Sequence, residues 1–150
     1  MDFLKEFAFL APYGTTLGVA VAVWQIFRNS IQQRTSFEDS LTKEYREITR
    51  RIPYKALVDE EVCEDDQLLA YNEIYNYMDL CNEQIFLRMS GRVSKKTWNN
   101  WQEGMSTNFS LKVFDRASKE VFRKLDQNFK ELKRVQESEY KTDPRKWKNV

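Results

Sequence analysis

The stretch 68–89, LLAYNEIYNYMDLCNEQIFLRM, decides the fold class of this chain. Its apolar side chains recur at steps of three and four residues, which places them on one face of an α-helix. That face consists of Leu68, Tyr71, Ile74, Tyr75, Met78, Cys81, Ile85 and Met89. Gly91 is predicted to end the helix, because glycine readily adopts the left-handed cap conformation. No stretch alternates apolar and polar residues as a strand would, so the chain is predicted to be all-α.

Two more helices are predicted after Gly91. Ser94 is a suitable N-cap for a short helix that carries Trp98 and Trp101, and Gly104 ends that helix or marks a tight contact. The last helix is predicted to run from 111 to 138. Its apolar face consists of Phe114, Ala117, Val121, Leu125, Phe129, Leu132 and Val135. These helices predict a small antiparallel bundle with its core in residues 67–138.

The N-terminal residues 7–27, FAFLAPYGTTLGVAVAVWQIF, carry no charge. A helix of this length reaches about 30 Å, the thickness of the hydrocarbon core of a bilayer. Residues 1–27 are therefore predicted to form a single transmembrane anchor. The triplet 20–22 also resembles a signal-peptide cleavage site, although the preceding residues lack a basic segment. A buried helix of a soluble protein is the third interpretation.

The segments on either side of the bundle are predicted from the positions of charged residues and of Pro53. Arg28 and Arg34 lie just after the apolar run, and such residues favour a cytoplasmic location for the domain that follows. Residues 28–53 are predicted to form a stalk helix that Pro53 ends, and residues 54–66 an acidic linker. Residues 139–150 form a basic tail, which is interpreted as a solvated terminus, with contact to anionic lipid or nucleic acid as the alternative.

Small residues recur every fourth position within the apolar run. Gly14, Gly18 and Ala22 would share one helix face, on which two backbones can approach closely. This pattern predicts self-association of the anchor and hence a homo-oligomer. The alternative is that glycine is simply common in membrane helices.

The composition excludes several kinds of chemistry. The chain has no histidine, so Ser-His and Cys-His catalytic pairs and histidine-bound zinc are excluded. No metal or cofactor is predicted. Cys63 and Cys81 are too far apart for a C-x-x-C site and are interpreted as buried, reduced thiols. The net charge of +1 predicts no nucleic-acid partner.

Two groups of residues are candidates for function. Asp79 and Glu83 lie one turn apart on the helix of residues 68–89, and a structural ion network with Arg88, Arg92 or Arg116 is the favoured interpretation. Trp98 and Trp101 share one face of the next helix and form either core or a partner-binding hot spot. Trp101 is expected to be buried and Trp98 to be partly exposed.

Three motifs follow one another between residues 68 and 122. They are Tyr77-x-Asp79-Leu80-Cys81-x-Glu83, Arg88-x-x-Gly91-x-Val93 and Trp98-x-x-Trp101-x-x-Gly104. In these motifs the chain resembles a group of small, membrane-anchored, all-helical bacterial and phage proteins of uncharacterised function. The resemblance implies no reaction, but it implies importance for seven residues of these motifs: Asp79, Glu83, Arg88, Gly91, Trp98, Trp101 and Gly104.

The functional expectation is a non-enzymatic, single-pass protein of the bacterial inner membrane whose cytoplasmic domain binds another protein. It would be a scaffold or an effector subunit of a bacterial system, with phage defence as the suggested setting. Its partners would be membrane lipid, a protein and a second copy of itself. The alternative is a membrane-damaging oligomeric effector that acts through its transmembrane helix. An enzyme that uses Asp79 and Glu83 is the least favoured hypothesis, since no nucleophile accompanies them.

Overall fold

The computed structural model describes the backbone of residues 3–147 and the side chains of residues 21–33, 35–125 and 127–147. Its helices are α1 (Phe3–Arg51), α2 (Tyr54–Leu57), α3 (Glu64–Met89), α4 (Lys95–Phe109), α5 (Lys112–Lys124) and α6 (Lys130–Glu137). Short 3-10 helices span Asp126–Phe129 and Pro144–Lys146. The described residues contain no strand, so the all-α prediction is confirmed. The chain divides into two units, one that ends at Phe37 and one that begins at Glu38.

The first unit is the N-terminal part of α1. Large apolar side chains are exposed along residues 21–31, namely Val21, Val23, Trp24, Ile26, Phe27 and Ile31. No helix within the described part of the chain is both long and apolar enough to cross a membrane. The predicted anchor includes residues 7–20, whose side chains lie outside the described ones.

The core of the second unit is built around α3. Ile74, Met78, Cys81 and Ile85 of its predicted apolar face are fully buried. Helix α3 contacts α4, α5 and α6, which confirms the predicted helical bundle. Leu41 and Ile48 of the C-terminal part of α1, and Ile52 directly after it, are also buried in this unit.

The helix boundaries predicted at Pro53, Gly91 and Ser94 are present. The prediction that Gly104 ends its helix or marks a tight contact is wrong, because α4 continues to Phe109 and a Cβ added at Gly104 would have no heavy atom within 4 Å. Helix α1 ends at Arg51, shortly before Pro53. After α3, Gly91 has a φ of 73°, and the N–H of Arg92 donates to the carbonyl of Leu87 at 3.0 Å. This bond is typical of a Schellman cap, which needs a left-handed residue at the position of Gly91. Ser94 caps α4, because its Oγ accepts the N–H of Thr97 at 2.9 Å.

The prediction of one long helix from 111 to 138 is wrong. The helix breaks after Lys124, where Leu125 has a φ of −133° and a ψ of 42°. Asn128 lies in the following 3-10 turn, and its carbonyl accepts a hydrogen bond from Asn82 at 3.1 Å. The break allows Phe129 to be fully buried, with its ring edge against Tyr75 at 5.6 Å between centroids. Burial of an aromatic ring outweighs the loss of a few helical hydrogen bonds.

The predicted acidic linker, 54–66, is largely structured. It contains the short helix α2, and its last three residues form the acidic first turn of α3, where negative charge is stabilising. Asp59 adopts a φ of 61° and accepts the backbone N–H of Lys112 at 2.8 Å. The linker therefore also caps the N-terminus of α5.

The predicted basic tail packs against the bundle up to Trp147. The carbonyl of Thr142 accepts two hydrogen bonds, from the indole of Trp98 at 3.1 Å and from Gln102 at 2.7 Å. Pro144 is buried, and the ring of Trp147 lies 4.2 Å below the guanidinium of Arg134. The interpretation of residues 139–147 as a solvated terminus is therefore wrong, because this segment fills part of the core. Residues 148–150 lie outside the described ones.

Candidate functional site

A groove of about 390 Å³ lies where residues 38–45 of α1, α3 and α4 meet. Its aromatic wall consists of Tyr45, Tyr77 and Trp101. Its polar lining consists of Glu38, Asp39, Thr42, Gln84, Thr97 and Asn100. We call this cavity the aromatic groove. Its volume falls in the range of pockets that bind small ligands or single side chains.

Glu38 holds one end of the aromatic groove in place. Its carboxylate accepts the backbone N–H of Ser94 at 3.1 Å and the hydroxyl of Thr97 at 2.7 Å. These two groups lie at the N-terminus of α4, where unpaired N–H groups and the helix dipole favour an anion. Glu38 therefore joins α1 to α4 and fixes the spacing of the groove walls.

The aromatic wall is rigid because its tyrosines are packed. The rings of Tyr45 and Tyr77 lie 5.9 Å apart, and Tyr77 also contacts Phe109 and Phe114. Asn108 donates to the hydroxyl of Tyr45 at 3.4 Å. Burial raises the pKa of Tyr77 far above its usual value, so this hydroxyl stays neutral. The wall thus offers neutral aromatic surface.

Gln84 is the least expected residue of the aromatic groove. It is only 5% exposed, yet its amide makes no hydrogen bond with any described residue. Among the described residues, the only buried side-chain polar atom without a partner is Asn82 Oδ1, so the amide of Gln84 is open to the groove, where water or a ligand can bond it. Gly104 lines the same cavity, and a Cβ added there would have no heavy atom within 4 Å. The groove is therefore open beside α4.

The structure reverses the prediction for the two tryptophans. Trp98 is fully buried and donates to Thr142, so it is a core residue without surface for a partner. Trp101 is partly exposed and lines the aromatic groove. Trp98 is buried because the C-terminal segment packs over it. The apolar pattern of α4 does not indicate this contact, since the segment lies more than forty positions away in the sequence.

Arg88 is also a structural residue. Its guanidinium pairs with both carboxylate oxygens of Asp143, at 2.8 and 2.6 Å, and donates to the carbonyl of Val93 at 2.8 Å. The predicted network of Arg88 with Asp79 and Glu83 is therefore wrong. Among the described residues, no ion pair joins Asp79 or Glu83 to Arg88, Arg92 or Arg116.

Asp79 and Glu83 line a second cavity, which we call the acidic groove. It has a volume of about 410 Å³ and lies between α1 and α3. Partial burial raises the pKa of Glu83, and the nearby carboxylates of Glu44 and Asp79 raise it further. Within the described part of the chain, no three His, Cys, Asp or Glu side chains are arranged to hold a metal ion.

The cysteines differ from each other. Cys81 is buried, as predicted, and burial raises the pKa of its thiol to about 12. Cys63 is exposed at the N-terminus of α3, so the prediction that both thiols are buried is wrong for Cys63. The two are not joined in a disulfide.

Of the three residues of the predicted self-association face, only the last has a described side chain. Ala22 is exposed, whereas the side-chain surroundings of Gly14 and Gly18 lie outside the described residues. Most residues of the aromatic groove, including Glu38, Tyr45 and Gln84, were not predicted as functional from the sequence. Glu38 lies more than fifty positions from its partners at the start of α4, so no local pattern could indicate it.

Comparisons of the chain with protein families, with curated proteins and with solved structures gave no significant match. The resemblance to small, membrane-anchored bacterial and phage proteins therefore stays a prediction.

Proposed function

We propose that this chain is a membrane-tethered protein-interaction module of the bacterial inner membrane. Its N-terminal helix would hold it in the bilayer, and the bundle that begins at Glu38 would bind a cytoplasmic protein. The module acts by binding, as a scaffold or as the effector subunit of a larger system such as one that responds to phage. A second copy of the chain would associate through Gly14, Gly18 and Ala22.

The exposed apolar surface of residues 21–31 carries this proposal. Six large apolar side chains there are between 45% and 69% exposed. At about 100° per residue they extend over more than half of the helix circumference. An amphipathic helix would show one apolar stripe, whereas a helix that is apolar on several sides needs lipid or protein around it. Most of this surface lies in the uncharged run 7–27, which continues towards the N-terminus.

The aromatic groove supports the binding role of the bundle. Trp101 lies partly exposed at this groove, and tryptophan is enriched among the residues that dominate protein interfaces. Glu38 and Thr97 are bonded to each other across the two helices. A rigid wall with a partly exposed indole is suited to recognition, because little side-chain entropy is lost on binding.

Fractionation of cells that express the full chain tests the tether. We expect the protein in the membrane fraction, resistant to carbonate and high salt. The double variant Val23→Glu/Ile26→Glu should move much of it to the soluble fraction, since each charge inside a bilayer costs about 3 kcal/mol. The matched control, Gln32→Glu/Gln33→Glu, adds the same charge to the same helix and should stay with the membrane. Recovery of the unaltered chain without detergent would refute the tether.

Capture from detergent extracts tests the binding role. We expect a stoichiometric protein partner that Trp101→Ala loses and that Asp79→Asn retains. A membrane-damaging effector would give a different result: growth arrest and leakage of dye from cells, both abolished by Gly14→Leu or Gly18→Leu. That outcome would replace the scaffold proposal.

A further inference from the structure

We propose that the aromatic groove binds the side chain of an arginine presented by the protein partner. This inference rests on the proposed function, because it specifies the chemistry by which the bundle recognises that partner. Most residues that line this groove lie outside the three sequence motifs between residues 68 and 122.

The charges of the lining select a cation. Glu38 and Asp39 contribute two carboxylates, and no lysine or arginine is among the described residues that line the groove. Glu38 is bonded to α4, but its negative charge still acts on the cavity. Asp39 is exposed at the edge and can contact a ligand directly. An anion would be repelled by both groups.

The aromatic wall selects a cation with a flat or apolar surface. Tyr45, Tyr77 and Trp101 form this wall, and the negative face of an aromatic ring attracts a guanidinium or ammonium group. A guanidinium is planar and more weakly hydrated than an ammonium, so it stacks on rings at a lower desolvation cost. Its three-carbon stem would be covered by the same aromatic surface.

Gln84 adds directional specificity. Its side chain lines the groove, and its amide is open to the cavity and makes no hydrogen bond to another described residue. The amide oxygen can accept one of the five N–H groups of a guanidinium. The carboxylate of Asp39 and the hydroxyl of Thr42 offer further acceptors in the same cavity. Several acceptors around an aromatic wall suit the fork of donors on arginine better than the compact ammonium of lysine.

Titration of the full chain in nonionic detergent, followed by NMR of the Trp101 indole N–H, tests the proposal. The probe is N-acetyl-arginine-N-methylamide, and the matched neutral probe is N-acetyl-citrulline-N-methylamide. We expect the arginine probe to shift the Trp101 signal with saturation, and the citrulline probe to bind at least tenfold more weakly. Equal binding of the two probes, or none, would overturn the proposal. Tighter binding of the free amine agmatine than of the capped arginine would indicate a small-molecule site instead and would also overturn it.

Variants locate the bound cation. In the same titration, Asp39→Asn should weaken binding at least threefold, whereas Asp79→Asn removes the same charge from the acidic groove and should change binding less than twofold. Trp101→Ala lacks the indole signal, so its binding is measured by calorimetry and should be at least tenfold weaker. Gly104→Leu places a side chain in open space beside α4, so it should block the groove while the bundle stays folded. Undiminished binding by Gly104→Leu would place the arginine elsewhere and refute the site. A chain that fractionates with membranes but ignores the arginine probe would refute this inference and leave the tether intact.

Discussion

Arg88 shows how one buried charge determines the arrangement of its surroundings. Its side chain is 4% exposed, and three hydrogen bonds from its guanidinium go to Asp143 and Val93. Removal of one member of such a pair leaves an uncompensated charge, and this costs more than the pair itself contributes. Arg88 therefore fixes where the C-terminal segment meets α3.

We expect Asp143→Asn to lower the free energy of unfolding by about 3 kcal/mol, because the buried guanidinium of Arg88 loses its counter-charge. The control Asp115→Asn breaks an exposed pair with Lys119 and should cost about 0.5 kcal/mol or less. Urea denaturation of both variants at neutral pH measures the difference. Equal effects would mean that the Arg88 pair is no more important than a surface pair.

The same pair predicts a pH dependence. Hydrogen bonds from Arg88 hold the pKa of Asp143 below its usual range. A carboxylate with a lowered pKa in the folded state contributes stability that is fully present above its unfolded pKa, near pH 4, and is lost as the pH falls through its folded pKa. The stability difference between the wild type and Asp143→Asn should therefore shrink below about pH 4.

At the scale of the element, α4 is held at its N-terminus and along its buried face, and another side of it lines the groove. Ser94 and Glu38 satisfy its N-terminus, and Trp98 and Gln102 attach its buried face to Thr142. Gly104 lies within this helix, where glycine lowers helix stability, and it leaves space in the aromatic groove. The cost of that glycine is consistent with a helix that keeps room for a ligand.

We expect Gly104→Ala to raise the free energy of unfolding by about 0.5–1 kcal/mol, since alanine is the better helix former and its Cβ meets no atom within 4 Å. Gly91→Ala is the contrasting variant. Gly91 has a φ of 73°, so alanine there should destabilise by about 1–2 kcal/mol. Thermal melts would contradict this account if both variants shifted the melting temperature in the same direction.

At the scale of the whole molecule, the bundle that begins at Glu38 is completed by its own C-terminal segment. Residues 139–147 supply acceptors for Trp98, Gln102 and Arg88, and they bury Pro144. Without the segment, Trp98 and Gln102 would lose these acceptors and Arg88 would keep only its bond to the carbonyl of Val93, which is costly for buried polar groups. The segment is thus part of the folding unit.

We expect removal of residues 139–150 to destabilise the bundle by at least about 3 kcal/mol, because Arg88 loses its counter-charge while Trp98 and Gln102 lose their acceptor. The control Lys141→Gln/Lys146→Gln removes positive charge but keeps the backbone acceptors, and it should unfold nearly as the wild type does. If the truncated chain were as stable as the wild type in urea, the C-terminal segment would be a dispensable tail.

The sequence alone determined the helical class and several helix ends. The apolar spacing of α3, the stop at Gly91 and the cap at Ser94 each depend on residues within a turn or two, so they can be read locally. Tertiary contacts decided the rest. Asp143 pairs with Arg88, 55 positions away in the sequence, and Thr142 accepts a hydrogen bond from Trp98, 44 positions away. The helix ends after Lys124, which allows Phe129 to be buried in the core. Burial and pairing depend on which distant segments meet in space, and helical periodicity carries no information about that; the aromatic groove therefore appears only in the folded chain.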